Sequence, residues 1–406
     1  MIETDEPRPH DNDTAAGSPA RGTGGEEMNA FDTGLATTGE TREGPYGRIG
    51  VVGAGAWGTA LAVIAARAGR SVALCGRDAA AIAEMEAARE NARYLPGIAL
   101  PGSIALTDDL AVMARQSDAV LIVTPSETIR AVCRALGPCL PAGVPVVLCA
   151  KGIEAGTGLL MSDIAAEELP GHPIGALSGP TFADEAAAGH LTAATIASDF
   201  PEGVAPGETL AARMALSLGT ANFRPYVSDD LVGVEVGGAV KNVVAIACGM
   251  MEGAGFAANT RAALITRGLD EIKRLAEALG GRRETVTGLS GVGDLTLTCS
   301  STHSRNLSLG IQLGRGRRRA DCFDGRPVVV EGEANAISVT DLARMKGVDM
   351  PIAEAVRAIL HEGAPIGRTF AWLWTRPIEA EPRALRLSLD HPAPESQVRD
   401  LAERMP

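Results

Sequence analysis

The spacing of apolar residues changes once along the chain, near residue 227. Before that point, short apolar runs bounded by Pro, Gly or Asp alternate with Ala-rich segments of helical period. The first run, 49–52, predicts a strand, followed by a glycine turn, a helix and a second strand at 71–76. A helical pattern at 78–93 gives way to the Pro/Gly punctuation of YLPGIALPG. The run DAVLIVT (118–124) predicts a buried strand stopped by Pro125, with a helix over 126–136. A strand at 144–149, a helix at 159–168 and strands at 174–177 and 193–197 follow. Strands alternating with helices in this way predict a mostly parallel, doubly wound sheet over 48–227.

Beyond residue 227 the strand-like runs stop, and long Ala/Leu/Val/Ile segments predict helices at 231–251, 261–279, 304–313, 333–346 and 352–360. Gly280-Gly281 would end the second of these and Pro351 would open the last. The fold class is therefore α/β: an N-terminal Rossmann-like doubly wound sheet (48–227), then an all-helical C-terminal domain (228–381). Residues 1–47, rich in Gly, Thr, Glu, Asp and Pro, are expected to form a disordered extension. They lack the apolar core of a secretory signal and are too acidic for a transit peptide. Residues 382–406 read as a loosely attached tail.

The uncharged stretch 49–66 could be taken for a membrane helix, but four glycines in its first ten residues oppose that. Each interior glycine costs about 1 kcal/mol of helix propensity relative to Ala. No stable membrane insertion is expected. A net charge of −13 and an aromatic content of 3% argue against nucleic acid as a partner. Seven scattered cysteines without a C-x-x-C pair fit reduced thiols in a cytoplasm. Six histidines without H-x-x-x-H or H-E-x-x-H spacing suggest no metal site.

Candidate chemistry begins at Gly53, Gly55 and Gly58, spaced G-x-G-x-x-G between the first strand and its helix. In a dinucleotide-binding turn the first glycine permits the turn and the second admits the pyrophosphate. The third lets helix meet strand, and the opening helix amides hold the anion. The segments Thr124-Pro125-Ser126 and Ala150-Lys151-Gly152 stand at carboxyl ends of strands, where such sheets bind ligands. Lys241, with Asn242, lies in an apolar, glycine-rich helix. It is either a surface lysine or, given so little solvated face, a lysine of lowered pKa in a cleft between the domains. Asp294 sits alone among glycines and apolar residues and either caps the next helix or belongs to a site. Ser304-Arg305-Asn306 opens a helix with three donors, as a phosphate grip would, or as an ordinary cap would.

Together, GVVGAGAWGTALA, TPSETIR, CAKGIE, LSGPTFADE, GVEVGGAVKN, NTRAALITRG, GVGDLTLTCSSTHSRN and VVEG resemble, in order, the bacterial NAD(P)-dependent glycerol-3-phosphate dehydrogenases. The resemblance spans roughly residues 48–380 and implies interconversion of sn-glycerol 3-phosphate and dihydroxyacetone phosphate, supplying glycerolipid backbones. It places Lys241 on the catalytic base and Lys151 on a lysine touching cofactor and substrate. Gly179, Thr181, Asp294, Ser304, Arg305 and Asn306 match substrate positions. Ala56, Trp57, Arg77, Ala183, Val329 and Glu331 match cofactor positions, beside Gly53, Gly55 and Gly58, with Arg305 serving both. A like charge at Lys151 would lower the pKa of Lys241. The chain departs from the pattern in its basic run 315–324 and in VEGEANA, where VEG-x-x-T-A is usual.

Cofactor choice between NADP and NAD rests on the end of the second strand. Arg77 could pair with a 2′-phosphate, or Asp78 could do the selecting. A homodimer is a further expectation. A 3-hydroxyacid or 6-phosphogluconate type dehydrogenase would share this architecture and a lysine in the helical domain. A non-catalytic dinucleotide-binding sensor is the reading from outside enzymes, but it would have no need of Lys241, Asp294 and Arg305 together.

Overall fold

A computed structural model describes residues 44–381 and 387–405. The expected disorder of residues 1–43 lies outside the described residues. The first half of the chain contributes strands β1 (Arg48–Val52), β2 (Ser71–Cys75), β3 (Glu90–Asn91), β4 (Leu95–Ala99), β5 (Ile104–Thr107), β6 (Ala119–Ile122), β7 (Val146–Leu148), β8 (Ile174–Ser178), β9 (Thr192–Ser198) and β10 (Phe223–Ser228). Its helices are α1 (Ala56–Arg67), α2 (Ala79–Ala88), α3 (Leu110–Arg115), α4 (Ile129–Leu136), α5 (Met161–Glu168), α6 (Ala183–Ala188) and α7 (Leu210–Leu218). Eight strands form one sheet in the order β10-β9-β8-β7-β6-β1-β2-β5, and β3 and β4 pair as a separate hairpin.

All sheet neighbours run parallel except β8 and β9, and β10 follows β9. Val51 sits opposite Leu74 on one side and Leu121 on the other, which puts β1 at the centre. Central parallel strands must be apolar on both faces. Accordingly Val51, Leu121 and Val147 pack with Leu61 of α1, while Val52, Ile122 and Val146 pack on the other face with Ile129 of α4 and Ile164 of α5. Strand order reverses between β1 and β6, and this switch point is where such sheets take ligands.

Three expectations need correcting. The predicted helix over 78–93 stops at Ala88, where Arg89 turns left-handed (φ 48°). Its guanidinium donates to the carbonyls of Pro101 (2.7 Å) and Ile104 (3.0 Å), fixing the chain for the β3–β4 hairpin. Residues 44–47 dock on the fold: Tyr46 is buried, its N–H donates to Ser217 Oγ (2.8 Å), and Arg213 stacks on its ring. The expected loose tail contains a helix, described below.

The second half is helical: α8 (Leu231–Gly253), α9 (Ala258–Ala278), α10 (Arg283–Val286), α11 (Asp294–Ser300), α12 (Arg305–Gly314), α13 (Glu331–Met345), α14 (Pro351–His361) and α15 (Ile366–Trp374). A two-residue hairpin, β11 (Ile378–Glu379) with β12 (Ser388–Leu389), and α16 (Glu395–Glu403) follow. Helix α16 packs on α15 so closely that a Cβ on Gly367 would lie 2.0 Å from the Ala402 carbonyl. Leu401 packs against the helical core and Met405 is part of it, apolar anchors that the tail's overall polarity conceals.

Helix α8 is long and apolar enough to cross a membrane, yet 89% of its apolar window is buried inside the molecule, as the core of the helical half. Its glycines explain how closely its neighbours approach. A Cβ on Gly249 or Gly253 would fall 2.2 Å from carbonyls of α12, and one on Gly310 or Gly314 would fall 2.2 or 2.1 Å from carbonyls of α8. The two helices thus meet backbone to backbone.

Candidate active site

The three glycines after β1 serve three separate needs. Gly53 has φ +114°, and a Cβ there would sit 2.8 Å from the Val123 carbonyl at the end of β6. Gly58 lies so close to the turn that its Cβ would be 1.8 Å from the Gly53 carbonyl. Around Gly55, which precedes α1, a Cβ would meet nothing within 4 Å, and no side chain caps the helix. The first amides of α1 are therefore left for an anion in an open space at the switch point, which fits the pyrophosphate of NAD(P). Ala56 and Trp57 open α1, and Trp57 and Ala183, at the start of α6, pack against one small cluster of Ala60, Leu95 and Ala187. At the end of β2 Arg77 is exposed, whereas Asp78 accepts from the N–H groups of Ala80 and Ala81 (both 3.1 Å) as the cap of α2. That employment of Asp78 leaves Arg77 the better candidate for the ribose end of the cofactor.

Lys151 follows β7 and Gly179 follows β8, so both stand at carboxyl ends of adjacent strands. The Lys151 ammonium donates to the Gly179 carbonyl (3.2 Å) and to Asp294 Oδ2 (2.7 Å). Lys241 of α8 donates to the other oxygen, Asp294 Oδ1 (2.6 Å), and to Thr298 Oγ1 (2.8 Å). Thr181 Oγ1 reaches the same Gly179 carbonyl (3.3 Å). One carboxylate therefore draws together a lysine from the sheet and one from the helices, and Asp294 caps no helix. A π-helical turn, Leu289–Gly293, delivers Asp294 to this place, and a Cβ on Gly237 would meet the Ser290 carbonyl at 2.8 Å. Gly238 makes room for the Lys151 stem, whose Cγ would lie 3.3 Å from a Cβ there.

Burial pulls the Lys241 ammonium below its ordinary pKa; Asp294 opposes this and the charge of Lys151 adds to it. Burial alone would raise the Asp294 carboxyl, but Lys151 and Lys241 outweigh it and hold it below the usual carboxylate range. A lowered pKa makes the Lys241 ammonium readier to give up its proton than a free lysine, the direction an acid–base group at a carbinol requires.

Ser304 caps α12 by accepting from the Leu307 N–H (3.2 Å), so the cap reading holds for its oxygen. Arg305 is exposed at the helix opening, and Asn306 is buried. Asn306 donates to Asn242 Oδ1 (3.0 Å) and accepts from the Gly332 N–H (2.9 Å), while Asn242 donates to Glu331 Oε2 (3.2 Å). This chain joins the α12 opening, the residue after Lys241 and the start of α13. Direct bonds thus unite Lys151, Gly179, Thr181, Lys241 and Asp294, and separately Asn242 joins Asn306 to Glu331. Arg77, Arg305 and Val329 lie exposed, outside both networks. Sequence reasoning passed over Thr298, although its position four residues after Asp294 puts both on one helix face. It also gave Asn242 no role, although this residue shares the conspicuous polar pair with Lys241.

Residues 48–203 match the family model described as NAD-dependent glycerol-3-phosphate dehydrogenase N-terminus, and residues 230–371 match its C-terminus counterpart. A glycerol-3-phosphate dehydrogenase (NAD(P)+) of Parvibaculum lavamentivorans is 49% identical over 336 residues, covering 83% of this chain and 98% of that protein. One from Caulobacter vibrioides is 48% identical over 336 residues, 83% of this chain and 99% of its own length. The crystal structure of glycerol-3-phosphate dehydrogenase from Coxiella burnetii superposes with a TM-score of 0.76 at 36% identity, over 81% of this chain and 99% of that one. With both halves matched in order and nearly the full length of these relatives covered, the chain belongs to the NAD-dependent glycerol-3-phosphate dehydrogenase family.

Proposed function

We propose that this protein interconverts sn-glycerol 3-phosphate and dihydroxyacetone phosphate with NAD(P), supplying glycerol 3-phosphate for phospholipid synthesis. The observation that carries the reading is the Lys151–Asp294–Lys241 cluster, in which an acid–base lysine from the helices meets the carboxyl edge of a dinucleotide-binding sheet. Bound cofactor would supply the hydride acceptor or donor. Gly53, Gly55, Ala56, Trp57, Gly58, Arg77, Lys151, Ala183, Arg305, Val329 and Glu331 would hold it. In oxidation Lys241 Nζ takes the C2 hydroxyl proton, and in reduction it returns that proton to the carbonyl oxygen. Lys151, facing the same oxygen, stabilises charge that develops there, and Asp294 keeps both lysines aimed at it. Gly179, Thr181 and Asp294 line the carbon skeleton. Ser304, Arg305 and Asn306 grip the phosphate, the guanidinium by a two-pronged contact.

In this reading residues 48–227 serve the dinucleotide and 228–381 the substrate, the protein is cytoplasmic, and it acts as a homodimer. Free cysteines throughout the described residues support a reducing compartment. Purified protein is expected to oxidise NADH or NADPH when given dihydroxyacetone phosphate, followed by absorbance. Turnover of a hydroxyacid with none of this substrate would overturn the reading, and light scattering decides the dimer.

A further inference from the structure

Asn335, in the first turns of α13, is buried, and its amide nitrogen donates to two carbonyls from different parts of the fold. One is the Lys151 carbonyl (3.2 Å), in the loop after β7; the other is that of Ala239 (3.1 Å), two residues before Lys241 on α8. The packing beside it leaves no slack, since a Cβ on Gly152 would come within 3.3 Å of Asn335 Oδ1 and 2.5 Å of Ser126 Cβ. This position falls in VEGEANA, where the chain departs from the threonine of VEG-x-x-T-A. A threonine hydroxyl has one hydrogen to give, whereas an amide NH₂ has two, so only asparagine can serve both carbonyls at once. We propose that Asn335 is a positioning residue that ties the Lys151 loop to α8, so that the Lys151 and Lys241 ammonium groups stay on the two oxygens of Asp294.

The role follows from where the cluster's parts come from. Lys151 belongs to the sheet and Lys241 to the helices, and their joint contact with Asp294 survives only if loop and helix keep their spacing. Asn335 is a bond between the two backbones at that point. The inference rests on the proposed function for its catalytic consequence but not for its geometry, so the test reads both.

The full chain is compared with Asn335→Ala and Asn335→Thr. Competitive acetylation with acetic anhydride, read by mass spectrometry at each lysine, needs no substrate. In Asn335→Ala the labelling of Lys151 is expected to rise severalfold while Lys273 and Lys346 stay at wild-type rates, with Asn335→Thr between. In parallel, kcat is expected to fall about tenfold in Asn335→Ala and to recover partly in Asn335→Thr, as for a small misplacement of a reacting group. Unchanged Lys151 labelling in a folded Asn335→Ala would overturn the proposal. So would a uniform rise at all lysines, which would mark general loosening. If the alanine variant does not fold, the threonine variant decides by the same Lys151 readout. A wild-type protein inactive on dihydroxyacetone phosphate would overturn the proposed function and leave the labelling result standing.

Discussion

At the scale of single residues, the site depends on one carboxylate shared by two ammonium groups. Lys241→Ala is expected to lower kcat by a factor of about 10² to 10⁴, as loss of an acid–base group commonly does, while cofactor still binds. Near-normal kcat in that variant would remove Lys241 from the chemistry. Arg77→Ala is expected to raise KM for NADPH roughly tenfold more than for NADH, because one charge-assisted contact is lost. Equal weakening of both coenzymes would return the choice to Asp78, despite its work as a helix cap. Lys241 and Asp294 were legible in sequence because each is a charge stranded among apolar residues and glycines. Asn335 was visible only as a departure from a pattern, since nothing in one sequence says which carbonyls a buried amide will find. The cap on Ser304 and the pairing of Asn306 could not be separated from phosphate binding, because a helix start and an anion site use the same donors.

At the scale of elements, the glycine turn gives a clean contrast between room for a ligand and room for the fold. Gly55→Ala meets open space, so the protein is expected to keep its melting temperature while KM for NAD(P) rises. Gly58→Ala drives a methyl into the Gly53 carbonyl and is expected to destabilise the fold itself. If Gly55→Ala bound cofactor as well as wild type, the uncapped end of α1 would not be the pyrophosphate site. Central strands and long helices were readable because burial on both faces, or along one stripe, writes a strong apolar pattern. The strands passed over are those where that pattern is weakest. β10 carries Arg224 and Pro225 and lies at a sheet edge, where proline is tolerated, and β5 is a four-residue strand at the other edge.

At the scale of the whole molecule, two buried carboxyl groups brace one segment against another and make stability depend on pH. Glu235 of α8 accepts from the N–H of Ser162 (2.9 Å) and from its hydroxyl, joining the helical half to the opening of α5. Glu271 of α9 accepts from the N–H groups of Ile352 (2.7 Å) and Ala353 (3.2 Å), at the opening of α14. Burial pushes Glu235 up to about 7 and Glu271 up to about 8, from an ordinary 4.5. The folded chain thus keeps protons that the unfolded chain releases, so their contribution is full below about pH 4.5 and is lost as pH rises through about 7 and 8. The loss is on the order of 3 kcal/mol for Glu235 and 5 kcal/mol for Glu271. Urea unfolding across pH 5 to 8 is expected to show a smaller decline in Glu271→Gln than in wild type, and identical slopes would refute the assignment.

The backbone contact between α8 and α12 has a consequence for what the enzyme accepts. Lys241 rides on one of these helices and Arg305 opens the other, and glycines at 249, 253, 310 and 314 leave no side chain between them to yield. With Lys241 and Arg305 in the roles proposed for them, the gap from reacting carbon to phosphate would be a jig with fixed jaws, cut for one length. A polyol phosphate whose secondary alcohol stands one bond farther from its phosphate cannot fill both jaws at once, and its kcat/KM is expected to fall roughly tenfold or more.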